Sequence, residues 1–235
     1  MPDDSKSPVA RRSFLTRLGG SLAVFGATLT SGESSAAAQT AESGGWKPAR
    51  HTQDDWLDRI PGKHRFVFDT TSPGGIGTAL FYVNNVFLGN ETGYGLGNAD
   101  VAVVIVARHD STPFAYTDAM WVKYGALLSQ RSGFTDPKTK QGPVLNVFNA
   151  AGYEATLPNR GTTVDSLLKR GVHFAVCQMA TRNFSGVIAR ANGTNANDVY
   201  TELASNLVGN AHMVPAGIVA VNRAQERGYS FASTS

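Results

Sequence analysis

One thiol, one glycine-rich turn, one histidine and one arginine carry most of the chemistry to be expected of this chain. Cys177 closes the apolar run His173-Phe-Ala-Val-Cys177 and is followed at once by the polar segment Gln178–Asn183. That pattern predicts a thiol at the carboxyl end of a strand, beside a helix start. A thiol so placed meets the positive end of the helix dipole, which favours the nucleophilic thiolate. Arg182, five residues further on, adds a cation within reach. The chemistry implied is nucleophilic attack or sulfur carriage; the competing reading is a small buried residue that finishes a strand.

The turn Ser72-Pro-Gly-Gly-Ile-Gly77 is the second candidate. Gly74, Gly75 and Gly77 leave backbone N–H groups unobstructed at a helix start, which suits an anion such as phosphate, sulfate or carboxylate. Neither GxGxxG spacing nor a Walker lysine accompanies it, so a nucleotide is not indicated. The alternative is a tight strand-to-helix turn. His109 and Asp110 end another strong strand pattern and face the crevice expected in an α/β sheet, in a binding, acid–base or loop-capping role. The other four histidines (His51, His64, His173, His212) lack HxxxH and HExxH spacing. No metal site and no cofactor is expected: CxxCH is missing, and so is the GxSxG of a serine hydrolase.

The elements that must position these residues alternate. Arg65–Asp69 reads as a strand, Ser72–Gly77 as a turn, Thr78–Leu88 as a buried helix and Gly89–Gly97 as a glycine-rich loop. Asp100–Arg108 (DVAVVIVAR) is a continuous β-branched run, the signature of a strand covered on both faces. Phe114–Ser129 reads as a helix, Ser132–Gly142 as a polar loop and Val144–Phe148 as a short strand. A helix over Thr163–Arg170, the Cys177 strand and a partly helical Gln178–Ala191 follow. The remainder predicts a helix over Ala196–Val208 led by Asn197 or Asp198, a strand at His212–Val214, a helix over Pro215–Arg227 and a last strand at Tyr229–Phe231. Upstream, His51–Ile60 predicts a short helix capped by Thr52 and anchored by Trp56. Alternation of this kind predicts one Rossmann-like, flavodoxin-like α/β domain, with a mainly parallel sheet and helices on both faces. Ligands in such sheets bind beyond the carboxyl ends of the strands. Those ends are Asp69–Gly77, His109–Ser111 and Cys177–Thr181.

Composition narrows the class. The 235 residues are 42% hydrophobic and 17% charged, with one cysteine, which excludes collagen-like, disordered and disulfide-stapled chains. A net charge of +3 is too small for a nucleic-acid partner. Residues 1–38 read as an export signal. Arg11-Arg12-Ser-Phe-Leu15 precedes a weakly apolar, glycine-containing stretch from Leu18 to Leu29, and Ala36-Ala-Ala38 offers a cleavage site. This resembles a twin-arginine signal, which carries proteins already folded, and predicts a periplasmic or secreted protein of bacterial type. No stable membrane span is expected once the signal is removed. The domains expected are the signal over 1–38, an extension with a short helix over 39–62 and an α/β domain over 63–235.

Three segments carry a family likeness. Gly171-Val-His-Phe-Ala-Val-Cys177, Val214-Pro-Ala-Gly-Ile-Val219 and Ala224-Gln-Glu-Arg-Gly-Tyr-Ser-Phe231 resemble the DsrE/DsrF/TusD-like family across about residues 63–233. The order is a strand ending in cysteine, a VPAG helix start, and a helix ending before a last strand. The resemblance implies a Rossmann-like fold and homo-oligomers, trimeric or hexameric. For Cys177 it implies a sulfur-accepting persulfide site with donor or acceptor proteins as partners. The signal, the Trp-containing extension and the segments at 89–98 and 130–143 depart from that pattern. Two functions follow: an exported sulfur carrier or sulfurtransferase using Cys177, or a non-catalytic homo-oligomeric module that binds a small ligand, cofactor or redox partner.

Overall fold

A computed structural model describes residues 46–235, and the chain from Lys47 to Ser235 forms one compact unit. The export segment expected over 1–38 lies outside the described residues. Five strands, β1 (His64–Thr70), β2 (Val101–Ala107), β3 (His173–Cys177), β4 (Ala211–Val214) and β5 (Ser230–Thr234), form a wholly parallel sheet in the order β4-β3-β2-β1-β5. Helices cover both faces, as expected of a Rossmann-like or flavodoxin-like domain. The centre is β2, whose seven residues are all buried. This is the physical outcome of an unbroken β-branched run, because either face of it must meet apolar atoms.

The two faces hold separate cores. On one, Phe68, Val103, Ile105, Phe174 and Val176 pack under α2 (Pro73–Tyr94), α3 (Asp118–Ser132), α5 (Gln178–Asn192) and α6 (Ala196–Ser205), with α4 (Val164–Leu168) at the margin. On the other, Val67, Ala102, Val104, Val106 and Ala175 pack under α7 (Gly217–Gln225) and the short α1 (Trp56–Arg59). Leu57 and Ile60 are buried in this second core, so residues 47–62 pack as part of the compact unit. No helix among the described residues is long and apolar enough to cross a membrane.

Several element boundaries differ from the sequence expectation. Gly74, Gly75 and Gly77 lie inside the first turns of α2 rather than in a turn before it. Ser72 caps the helix, its hydroxyl accepting the Gly75 N–H at 2.9 Å, and Pro73 occupies the first position, where no N–H is needed. The expected loop over 89–97 is helical as far as Tyr94, and Gly95, at φ +66°, ends it. Two interior glycines cost about 1 kcal/mol each but do not break a helix that buries Ile76, Leu80, Val83 and Phe87. The expected strand at Val144–Phe148 does not form. Val147–Asn149 is a single 3-10 turn that plugs Phe148 into the core, held by the Asn146 amide donating to Phe114 O at 2.8 Å. Thr52 caps no helix; Asp55 precedes α1. The cap of α6 is Asn195, two residues ahead of Asn197 and three ahead of Asp198.

Two glycines of α2 are set in opposite environments. A Cβ at Gly75 would stand 2.5 Å from the Thr234 carbonyl oxygen, whereas a Cβ at Gly89 meets open space. Gly75→Ala is expected to push β5 away and cost about 1–3 kcal/mol. Gly89→Ala is expected to stabilise by about 0.5–1 kcal/mol. Denaturant titration of both variants checks the pair.

Candidate functional site

The connections leaving β3 and β4 diverge. From Cys177 the chain enters α5 on one face of the sheet; from Val214 it passes through Pro215 and Ala216 into α7 on the other. Between them, at the carboxyl edge, opens the crevice that doubly wound sheets reserve for ligands. It encloses about 250 Å3 and is lined by Arg108, His109, Arg131, Cys177, Met179, Ala180, Asn183 and Ala216–Ile218.

Cys177 is both the last residue of β3 and the cap of α5. Its sulfur accepts the Ala180 N–H at 3.5 Å, the bond an N-cap oxygen would accept. Only 7% of the residue is exposed. A buried chain of hydroxyls fixes the junction: Tyr116 donates to Thr181 Oγ1 at 3.0 Å, and Thr181 donates to the Cys177 carbonyl at 3.0 Å. Burial holds the Tyr116 hydroxyl well above the usual phenol range, so it remains a donor at every relevant pH.

Two guanidinium groups enter the crevice, each already engaged. Arg108, the residue after β2, makes a bidentate bond to Asp69 of β1, with both N–O distances 2.7 Å. Asp69 is nearly fully buried, and its hydrogen bonds raise the Arg108 pKa further. The Arg108 stem lies against Gly217, where a Cβ would come within 2.7 Å of Arg108 Cβ. Asp69 on one side and the missing side chain of Gly217 on the other therefore hold the guanidinium in place. Arg131, from the last turn of α3, pairs with Asp110 at 2.7 Å and bonds Asn183 of α5 at 2.8 Å. His109 is exposed at the lip and holds a positive φ of +54°, an uncommon conformation for a residue other than glycine. Ser111 locks that corner, its hydroxyl bonded to Thr70 and to the backbone of Thr70 and Arg108.

Of the residues singled out in the sequence, the crevice unites Cys177 and His109. Gly74, Gly75, Gly77 and Arg182 do not line it. Gly75 is closed over by Thr234 and Ser235, and Gly77 by Phe148 and Pro158, so these glycines serve close packing rather than an open anion cradle. Gly74 is exposed elsewhere on the surface. Arg182 lies over the Tyr200 ring at 4.1 Å, facing α6. Asp69 lies within the strand end expected to face a ligand, but no role was given to it, and Arg108 and Arg131 were not anticipated as site residues. Arg108 and Asp69 carried a signal, since each is a charged residue ending an apolar strand; Arg131, on a distant helix turn, carried none. Among the described residues no three His, Cys, Asp or Glu side chains gather as a metal would require.

Comparison with protein-family models finds no match, and comparison with curated proteins finds none either. Among solved structures, the chain is similar to the protein of unknown function MTH1491 from Methanobacterium thermoautotrophicum. The sequences are 14% identical, the superposition covers 73% of this chain and 99% of that one, and the TM-score is 0.38. A likeness so distant does not bear on function.

Asp69→Asn keeps the shape of the side chain but removes the charge that pairs with Arg108. A loss of about 2–3 kcal/mol in stability is expected, because the guanidinium stays largely buried without its counterion. Asp110→Asn, at a half-exposed pair, is expected to cost under about 1 kcal/mol. Urea unfolding of the two variants checks the difference.

Proposed function

We propose that this protein is an exported DsrE-like sulfur carrier or sulfurtransferase in which Cys177 carries the sulfur. The observation that supports this most is the placement of the only thiol of the chain: it caps a fifteen-residue helix inside a crevice that also holds Arg108, Arg131 and His109. The thiolate attacks the sulfane sulfur of an anionic donor, such as thiosulfate or a low-molecular-weight persulfide. The donor S–S bond breaks, and its electron pair leaves with sulfite or with the thiolate. Cys177 becomes a persulfide, and no external oxidant is consumed. An acceptor thiolate then takes the outer sulfur and restores Cys177. Arg108 and Arg131, rather than Ser72–Gly77 and Arg182, are the groups that meet the donor's charge. The exposed side chains of Met179 and Ile218 at the rim give an acceptor protein apolar surface to rest on.

The twin-arginine-like start supports work in the periplasm or outside the cell, after folding in the cytoplasm. The resemblance to DsrE-like proteins supports a homo-oligomer, trimeric or hexameric, and a partner that gives or receives sulfur. A second reading, the non-catalytic module that binds a small ligand, cofactor or redox partner, is favoured by one observation. Cys177 is 93% covered, so a reagent must enter the crevice to reach it.

Native mass spectrometry of the full chain, incubated with thiosulfate or a glutathione persulfide, separates the two. The carrier is expected to gain the mass of one sulfur atom per subunit, removable by dithiothreitol and absent in Cys177→Ser. Arg131→Met is expected to slow uptake from the anionic donor about tenfold, the worth of one charge-assisted hydrogen bond. An unmodified thiol under all donors, with a small molecule retained instead, would favour the module.

A further inference from the structure

The amino end of the sheet holds a second cluster, on the α1 and α7 face and away from the crevice. His173 opens β3 and His212 lies on the neighbouring edge strand β4. The Nδ1 of His173 and the Nε2 of His212 are 3.0 Å apart. Their ring planes differ by 12° and their centroids are 5.2 Å apart, the geometry of two imidazoles joined edge to edge by an N–H···N bond. The Trp56 indole lies flat on the resulting plate, 4.0 Å from the His212 centroid and tilted 11°. Trp56 belongs to the segment that leads into the sheet, and the rest of that segment is tied down by its backbone. Arg65 donates to Leu57 O at 2.9 Å and Ile60 O at 3.3 Å, and the Tyr229 hydroxyl donates to Leu57 O at 2.7 Å.

Such a plate has a definite tolerance for protons. An N–H···N bond needs one bare nitrogen, so it survives with both rings neutral or with one extra proton. It cannot survive with both rings cationic, because two donors then face each other. We propose that the His173–His212 pair and Trp56 form a proton-operated latch that holds residues 52–59 against the sheet at neutral pH and releases them in acid.

The surroundings agree with that direction. Burial lowers the His173 pKa, and burial followed by the charge of His173 lowers that of His212 to about 4. The charged groups on the elements packed nearby are engaged otherwise. Asp54 pairs with Arg223, Glu226 with Arg223, and Asp58 with Arg227 and Arg50, while Arg65 points at carbonyl groups. Among the described residues, Asp55 and Arg59 make no hydrogen bond to either ring. Among the described residues no carboxylate hydrogen-bonds either ring, and what acts on the pair is burial and the neighbouring ring. The released segment leaves both rings open to water, where the ordinary value is about 6.5. Release therefore takes up protons, and docking weakens as pH falls from about 6.5 toward 4. The change is at most tenfold per pH unit for each proton bound.

The test is an NMR and hydrogen-exchange titration of the full chain from pH 7.5 to 4. The Trp56 indole resonance is assigned through Trp56→Phe. The expected result is movement of that resonance, with protection of the 52–59 amides falling at least tenfold after correction for intrinsic exchange, while the β2 amides stay protected. His212→Gln, which keeps a neutral partner for His173, is expected to flatten the transition. The latch is overturned if the Trp56 signal does not move above pH 4, or if His212→Gln titrates as the wild type does. Loss of protection in 52–59 and β2 together, meaning global unfolding, also overturns it. Should His212→Gln fail to fold, the imidazole resonances of the wild type decide, and titration of both rings at or above about 6.5 rejects the latch.

Discussion

The return path from β4 is the constraint on which the site depends. Strands β1 to β4 are laid down in order toward one edge of the sheet, and β5 must then pair with β1 at the opposite edge. The connection carrying α7 crosses the face that α2, α3, α5 and α6 leave open. The exits of two adjacent strands are thereby forced apart. One exit delivers a thiol at the start of α5; the other delivers Ala216 and Gly217 at the start of α7. A parallel sheet wound on one face only would have packed those exits together and left no crevice between them.

Once the crevice exists, charge compensation keeps it in order. Two guanidinium groups beside a thiol would repel each other and resist burial if left alone. Asp69 and Asp110 neutralise them in turn, the first in a nearly buried bidentate bond and the second at the half-exposed lip. The two pairs are unequal for a physical reason. Asp69 sits at the end of an inner strand, where solvent cannot screen it, whereas the Asp110 side chain is half-exposed at the start of its turn. Arg108 is accordingly a fixed feature of the wall, and Arg131 is the less tightly held of the two. The same sheet carries the histidine plate at its amino end, so one strand, β3, begins in a proton-sensitive contact and ends in the thiol.

Much of the architecture was legible in the residues. The β2 run announced a strand buried on both faces, and alternation of strand and helix patterns announced a parallel sheet. Errors fell where local cues compete. Glycines at 89, 93 and 95 suggested a loop, but only Gly95 has a positive φ and ends the helix; the other two are carried by the packing of Val83 and Phe87 on one side of it. The run at Val144–Phe148 had strand-like composition but pairs with no strand; its Val147 and Phe148 plug the core instead. The glycine-rich turn looked open because a sequence does not show that Thr234 and Pro158 occupy the space above it.

By itself the sequence determined the fold class, the place of Cys177 at a strand-to-helix junction, and the place of His109 beyond a strand end. Each of these follows from local periodicity or from the residues immediately adjacent. Only the tertiary structure decided which charges share the crevice with the thiol. Arg131 lies far from Cys177 in the chain, and Arg182, only five residues away, is turned toward Tyr200 by the helix it sits on. Nor does spacing along the chain show that Trp56, His173 and His212 lie together. Their contact exists because β4 pairs with β3 and because α1 folds back over both, and neither event is written in any local segment.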